Sequence, residues 1–130
     1  MNKLFIVFLL IFSVNSYTEE LKPLDAKLIK DAGITLHSEA IFVYGNQDVG
    51  LRFATNVSPE DVQEWYSKEL PKWALYNKYG VWILYNGEPD KGMADVMSVN
   101  RIIVTHNPNL PEWHSLDKNM TTEIVIMIVK

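Results

Sequence analysis

The chain has no cysteine among its 130 residues. Disulfide bonds, a cysteine nucleophile and a lipid anchor on cysteine are therefore excluded. A domain of this size has to be stabilised by its hydrophobic core, and 48% apolar residues are enough to form one.

Positive charge is also scarce. The chain has 12 basic against 16 acidic side chains, and only Arg52 and Arg101 are arginines. Nucleic-acid binding depends on clustered lysine and arginine that contact phosphates, and the sequence has no such cluster. We therefore expect no nucleic-acid partner.

The longest apolar run is at the N-terminus, where Leu4 to Val14 is interrupted only by Ser13. Lys3 precedes this run, and small side chains occupy positions 14 and 16. This is the layout of a secretory signal peptide, and the run is too short to cross a bilayer core of about 30 Å. We expect residues 1–16 to be cleaved and residues 17–130 to form one domain in the periplasm or outside the cell, without stable membrane insertion. Export without cysteine favours a bacterial source.

The segment 58–73 predicts a helix with clear ends. Ser58 is a good N-cap, Pro59 suits the first helical position, and Asp61 follows three residues after the cap. Pro71 then ends the helix. The apolar side chains at helical spacing are Val62, Trp65, Tyr66 and Leu70.

The remaining pattern predicts an earlier helix and six strands. A helix over about 23–32 would place Leu21, Leu24, Leu28 and Ala32 on one face, with Gly33 as its cap. The predicted order α-β-β-α-β-β-β-β favours an α+β fold with a single, mainly antiparallel sheet of about five to six strands and one or two packed helices. The strand candidates are 39–45, 49–56, 73–77, 81–86, 101–106 and 122–129.

Two of these strands, 81–85 and 124–129, are apolar on both faces rather than alternating. Such strands are typical of a sheet interior that is covered on both sides. Two short helices can cover one face and at most part of the other. Either the loops 87–98 and 107–121 fold over the second face, or a partner covers it.

The run Phe53-Ala54-Thr55, the motif Ser58-Pro59-Glu60-Asp61-Val62, the pair Trp65-Tyr66, and then Leu70 and Trp73 carry a resemblance. Over about residues 33–86 the chain resembles small exported bacterial proteins of unknown function that share this strand and helix. The resemblance implies an exported α+β domain, and it supplies no catalytic residue.

The loop 105–117 holds most of the residues suited to chemistry. His106 and His114 with a carboxylate would suit an open zinc site, but their spacing matches no established ligand pattern, so we predict no metal and no cofactor. No serine lies in a Gly-x-Ser-x-Gly motif. Trp113, flanked by Glu112 and His114, either anchors the loop on the core or is an exposed contact residue, since tryptophan is often a dominant contact at protein interfaces.

We therefore predict a non-enzymatic binding protein, of the envelope-accessory, inhibitor or immunity type. Its partner would be another envelope or secreted protein, including a second copy of this chain, and its contact residues would be Glu112, Trp113, His114 and Asp117. Two alternatives stay open. One is a metal-dependent hydrolase that uses the 106–117 loop, and the other is a glycan-binding module in which Trp113 stacks on a sugar.

Overall fold

The computed structural model describes residues 20–108 and 119–129. Within these residues the helices and strands follow the predicted order, with one additional short helix. The elements are α1 (Pro23–Asp31), β1 (Ile41–Asn46), β2 (Gly50–Thr55), α2 (Pro59–Glu69), β3 (Ala74–Tyr76), β4 (Ile83–Tyr85), α3 (Met93–Val96), β5 (Arg101–His106) and β6 (Thr122–Met127).

Helix α2 begins and ends where its sequence signals predict. The Ser58 hydroxyl accepts a hydrogen bond from the Asp61 N–H at 3.2 Å, and Pro59 occupies the first helical position. The helix ends at Glu69, two residues before Pro71. Val62 and Tyr66 are fully buried, and burial raises the pKa of the Tyr66 hydroxyl. The helix is therefore fixed by local signals at both ends and by core packing between them.

The Ser58 cap gives a first prediction. Ser58→Ala leaves a first-turn N–H without its side-chain acceptor, so we expect the free energy of unfolding to fall by about 1 kcal/mol. Urea titration measures this change. Ser67→Ala is the matched control, because Ser67 is exposed inside the same helix and alanine has the higher helix propensity there. Equal losses in the two variants would contradict a role for the cap.

The six strands form one antiparallel sheet in the order β1-β2-β6-β5-β4-β3. The predicted α+β class with a single antiparallel sheet is thus confirmed. Strands β4 and β6 each have neighbours on both sides, as their two-sided apolar sequences predict. Short β3 and bulged β1 form the edges, which limits pairing with other chains.

Both longer helices pack on one face of the sheet. Ile29 of α1 and Val62 and Tyr66 of α2 belong to the main core cluster. The apolar face predicted for α1 is only partly in contact with the core: Leu21, Leu28 and Ala32 pack against it, whereas 62% of Leu24 is exposed. Helix α1 packs on the core through Ile29. The residue one turn before Ile29 on the same side of the helix is Asp25, so Asp25 is buried and Leu24 is not. The sheet residues of this cluster are Leu51, Phe53, Leu84, Ile102, Val104, Ile124 and Ile126.

The second face is covered over β3 and β4 by residues 86–100, which we call the strap. Val96 in helix α3 is fully buried in a second cluster with Ala74, Tyr76, Ile83 and Tyr85. Over β3 and β4, residues 87–98 thus cover this face, as in the first of the two alternatives that the sequence left open. The matching prediction for 107–121 falls largely on residues outside the described ranges.

Candidate functional site

The connection between β5 and β6, residues 107–121, carries the predicted contact residues and lies at one end of the sheet. Hydrogen bonds join its two ends, which we call its base. His106 at the end of β5 pairs in register with Thr122 at the start of β6. Just beyond this pair, the Asn107 N–H donates to the Thr121 carbonyl at 2.8 Å. Residues 107 and 121 therefore hold the two ends of the connection together.

Threonine side chains tie this base to the rest of the fold. The Thr121 N–H donates to the Thr55 carbonyl at 3.1 Å, and the Thr122 hydroxyl donates to the Val57 carbonyl. The Thr55 hydroxyl accepts from the Val57 N–H at 3.2 Å, and Thr55 and Thr122 are both fully buried. The base of the connection between β5 and β6 is thus hydrogen-bonded to β2 and to the backbone just before α2.

His106 is the one predicted site residue within the described ranges. Its Nε2 lies 3.6 Å from Oε1 of Glu60 in the first turn of α2, and both side chains are about two-thirds exposed. An exposed pair of this kind contributes little to stability. It bridges β5 and α2 at the same end of the sheet as the Thr55–Thr121–Thr122 base.

The other predicted contact residues, Glu112, Trp113, His114 and Asp117, lie outside the described residues. The predicted pairing of His106 with His114 at a metal is therefore untested. In residues 20–108 and 119–129, no group of three or more histidine and carboxylate side chains is arranged to hold a metal ion.

Sequence reasoning missed a residue at this end of the sheet, Tyr79 in the connection between β3 and β4. Lys78-Tyr79-Gly80-Val81 has positive φ angles at Tyr79 (57°) and Gly80 (76°), and the Val81 N–H donates to the Lys78 carbonyl at 3.1 Å. These features define a type I′ turn. Tyr79 is 92% exposed. Tyr79 lies between the predicted strands 73–77 and 81–86, so the sequence places it in a connection, but its type alone does not mark it as a contact residue.

A second feature lies at the opposite end of the sheet, beside the edge strand β1. An open cavity of about 540 Å³ is lined by residues before α1 and by the β1–β2 hairpin. Next to it, Arg52 pairs with Glu123 at 3.3 Å, and its guanidinium lies 5.6 Å from the Tyr44 ring centroid. We call this feature the corner cavity, and its lining residues are Glu20, Lys22, Tyr44, Gly45, Asn46 and Val49.

The geometry defines an α+β domain that carries a long connection with a fixed base at one end of its sheet. Comparison with protein-family models, with curated proteins and with solved structures finds no match for this chain. None of the helices in the described ranges combines the length and apolar character needed to cross a membrane.

Proposed function

We propose that this chain is an exported, non-enzymatic binding protein that contacts another envelope or secreted protein through residues 107–121. The observation that carries the proposal is the closed base of this connection. Hairpin loops usually have two to five residues, and much longer connections in compact domains are commonly functional. Here the base of the connection is bonded to β2 and to the backbone just before α2, so its two ends are held at a fixed place on the scaffold.

The fixed base also favours binding energetically. Ordering a loop on association costs conformational entropy, and anchoring its two ends before binding lowers that cost. The residues carried by the connection suit a protein partner. A tryptophan is often a dominant contact in protein interfaces, while the carboxylates of Glu112 and Asp117 would attract a basic surface. A basic enzyme restrained by this chain is the partner type that we favour.

The test uses the purified protein as bait for envelope and secreted proteins of the producing cells, followed by affinity measurement with the captured partner. We expect Trp113→Ala to weaken that affinity at least tenfold, because truncation of a tryptophan at an interface centre typically costs about 2 kcal/mol or more. Leu75→Ala is the control, since Leu75 is 44% exposed on an edge strand outside the proposed surface. Thermal unfolding of both variants separates loss of contact from loss of fold.

Three results would contradict the proposal. The first is unchanged affinity in Trp113→Ala and in alanine variants of Glu112, His114 and Asp117. The second is stoichiometric zinc in the purified protein that disappears in His106→Ala and His114→Ala, which would favour the hydrolase. The third is quenching of Trp113 fluorescence by cell-wall glycan fragments, which would favour the glycan-binding module.

A further inference from the structure

Tyr79 occupies a backbone position that suits its side chain poorly. Type I′ turns favour asparagine, aspartate or glycine at both central positions, because these residues tolerate positive φ. A bulky aromatic residue with φ of 57° is unusual and is disfavoured. The ring recovers nothing by packing, since 92% of Tyr79 is exposed. A side chain that is strained and exposed in this way is available for contact with something outside the fold.

We call the turn at residues 77–81 the tip. The neighbours of Tyr79 give the tip a positive charge. Lys78 is exposed, and its Nζ lies 5.9 Å from the ring centroid of buried Tyr76, so the ammonium stays beside the turn. Asn77, Gly80 and Val81 are uncharged. The tip is therefore a cationic projection with an aromatic end, on a chain whose net charge is −4. A complementary site needs an apolar hollow with carboxylates at its rim.

The corner cavity has this character. Val49 is 58% exposed and supplies apolar surface, and the partly exposed Tyr44 ring adds to it beside the Arg52 guanidinium. Among the described residues, the lining carries the charges of Glu20 and Lys22, and Arg52 is paired with Glu123. Exposed Asp48, next to Val49 in the hairpin turn, adds a carboxylate that no cation in this group balances. A cavity of about 540 Å³ has room for one tyrosine side chain.

The sheet order places the tip and the cavity at opposite corners. The 77–82 connection lies beyond edge strand β3, at the end of the sheet where β5 finishes. The β1–β2 hairpin turn lies at the other end and on the other edge. The tip of a molecule therefore cannot reach the corner cavity of the same molecule, but it can bind the corner cavity of a second copy. A contact between two different surfaces of the same chain is heterologous and extends as a row.

We propose that Tyr79 and Lys78 of one copy bind the corner cavity of a second copy, so that the protein associates head to tail. The contact is small, so it is weak and forms at high local concentration. This association goes beyond the proposed function, because it uses neither the 107–121 connection nor its partner.

Sedimentation equilibrium of the purified protein over rising concentration tests the proposal. We expect the average mass to rise above that of the monomer, and to stay at the monomer in Tyr79→Asn. The same substitution should raise the Tm by about 2–5 °C, since asparagine is favoured in the turn. If Tyr79→Asn raises the Tm and abolishes association, Tyr79 is a contact residue. A residue with a structural role would lower the Tm when it is replaced. Association unchanged in Tyr79→Asn overturns the proposal, and so does a wild-type protein that is monomeric at every concentration.

A mixing experiment tests the cavity. Val49→Arg places a cation where Lys78 should bind, so it should also be monomeric. Each variant retains one intact surface, and an equimolar mixture of Tyr79→Asn and Val49→Arg should therefore form dimers and nothing larger. A mixture that stays monomeric overturns the proposal. Met93→Gln, which changes an exposed residue on the strap, and Trp113→Ala should both associate as the wild type does; loss of association in Trp113→Ala would assign the contact to the 107–121 connection instead.

Discussion

Gly45→Ala should lower the free energy of unfolding by about 3 kcal/mol or more, a large part of the 5–15 kcal/mol typical of a domain. Gly45 has a φ of +113°, outside the regions open to other residues. A Cβ atom there would lie 2.0 Å from the Gly50 carbonyl oxygen. Because that oxygen belongs to the paired strand, relief of the clash requires the β1–β2 hairpin to open.

Opening of this hairpin affects the whole sheet. Gly45 pairs with Leu51, which is fully buried in the main core, and β2 pairs along its length with the central strand β6. A shift of β2 therefore disturbs the packing of both helices against the sheet. Separate disorder of the hairpin alone is not expected, since β2 is an interior strand.

Urea titration measures this loss, and Gly33→Ala is the control. Gly33 also has a positive φ, +77°, but no atom of the described residues, apart from those of Gly33 and its two chain neighbours, lies within 4 Å of the position that its Cβ would take. Alanine at Gly33 should therefore cost about 1 kcal/mol, the price of the backbone conformation without a clash. A loss in Gly45→Ala that is no greater than in Gly33→Ala would contradict the steric argument.

Much of the fold was predictable because its signals are local. The Ser58 cap and Pro71 define α2 without reference to the rest of the chain. The apolar runs 81–85 and 124–129 correctly indicated interior strands, since both faces of such strands have to be covered. The role of Gly45 was not predictable in this way. It depends on the close approach of the Gly50 carbonyl in the partner strand, and no local pattern around Gly45 predicts that approach.

The candidate site also has some features that local sequence predicts and others that depend on contacts between distant residues. The residues of 106–117 drew attention by their types, but the base of the connection is made by Thr55, Thr121 and Thr122. Thr55 is distant in sequence from the other two, and no local pattern connects them. The exposed position of Leu24 was missed for a related reason. Helical spacing finds an apolar stripe, but the contacts of α1 decide which neighbouring stripe is buried.

Arg101→Ala should be about as damaging as Gly45→Ala, at about 3 kcal/mol, for a different reason. Arg101 is only 5% exposed, and burial lowers the pKa of its guanidinium. Its Nη1 donates to the carbonyls of Met97 at 2.8 Å and Val99 at 3.1 Å, while its Nε has no hydrogen-bond partner among the described residues. The side chain therefore holds the strap against the sheet. Alanine removes both bonds and leaves a void beneath the strap.

Loss of Arg101 should loosen the strap before the sheet unfolds. Further side-chain hydrogen bonds hold the strap. The Tyr85 hydroxyl donates to the Glu88 carbonyl at 2.7 Å near its beginning, and the Asn100 Oδ1 accepts from the Val129 N–H at 2.7 Å at its end. Arg101 holds the part between them, through Met97 and Val99. We therefore expect trypsin to cleave after exposed Lys91 at least tenfold faster in Arg101→Ala than in the wild type, with little change in the far-ultraviolet circular dichroism.

Arg52→Ala is the natural control, because Arg52 is the other arginine of the chain. It lies on the same face of the sheet, but it is partly exposed and pairs with Glu123. Removing such a pair should cost about 1 kcal/mol or less and should not change cleavage after Lys91. Equal effects of the two substitutions would mean that Arg101 does not hold the strap. We expect the larger effect at Arg101, in both urea titration and proteolysis, because its guanidinium is buried. Water cannot restore the hydrogen bonds that the guanidinium makes to the two backbone carbonyls.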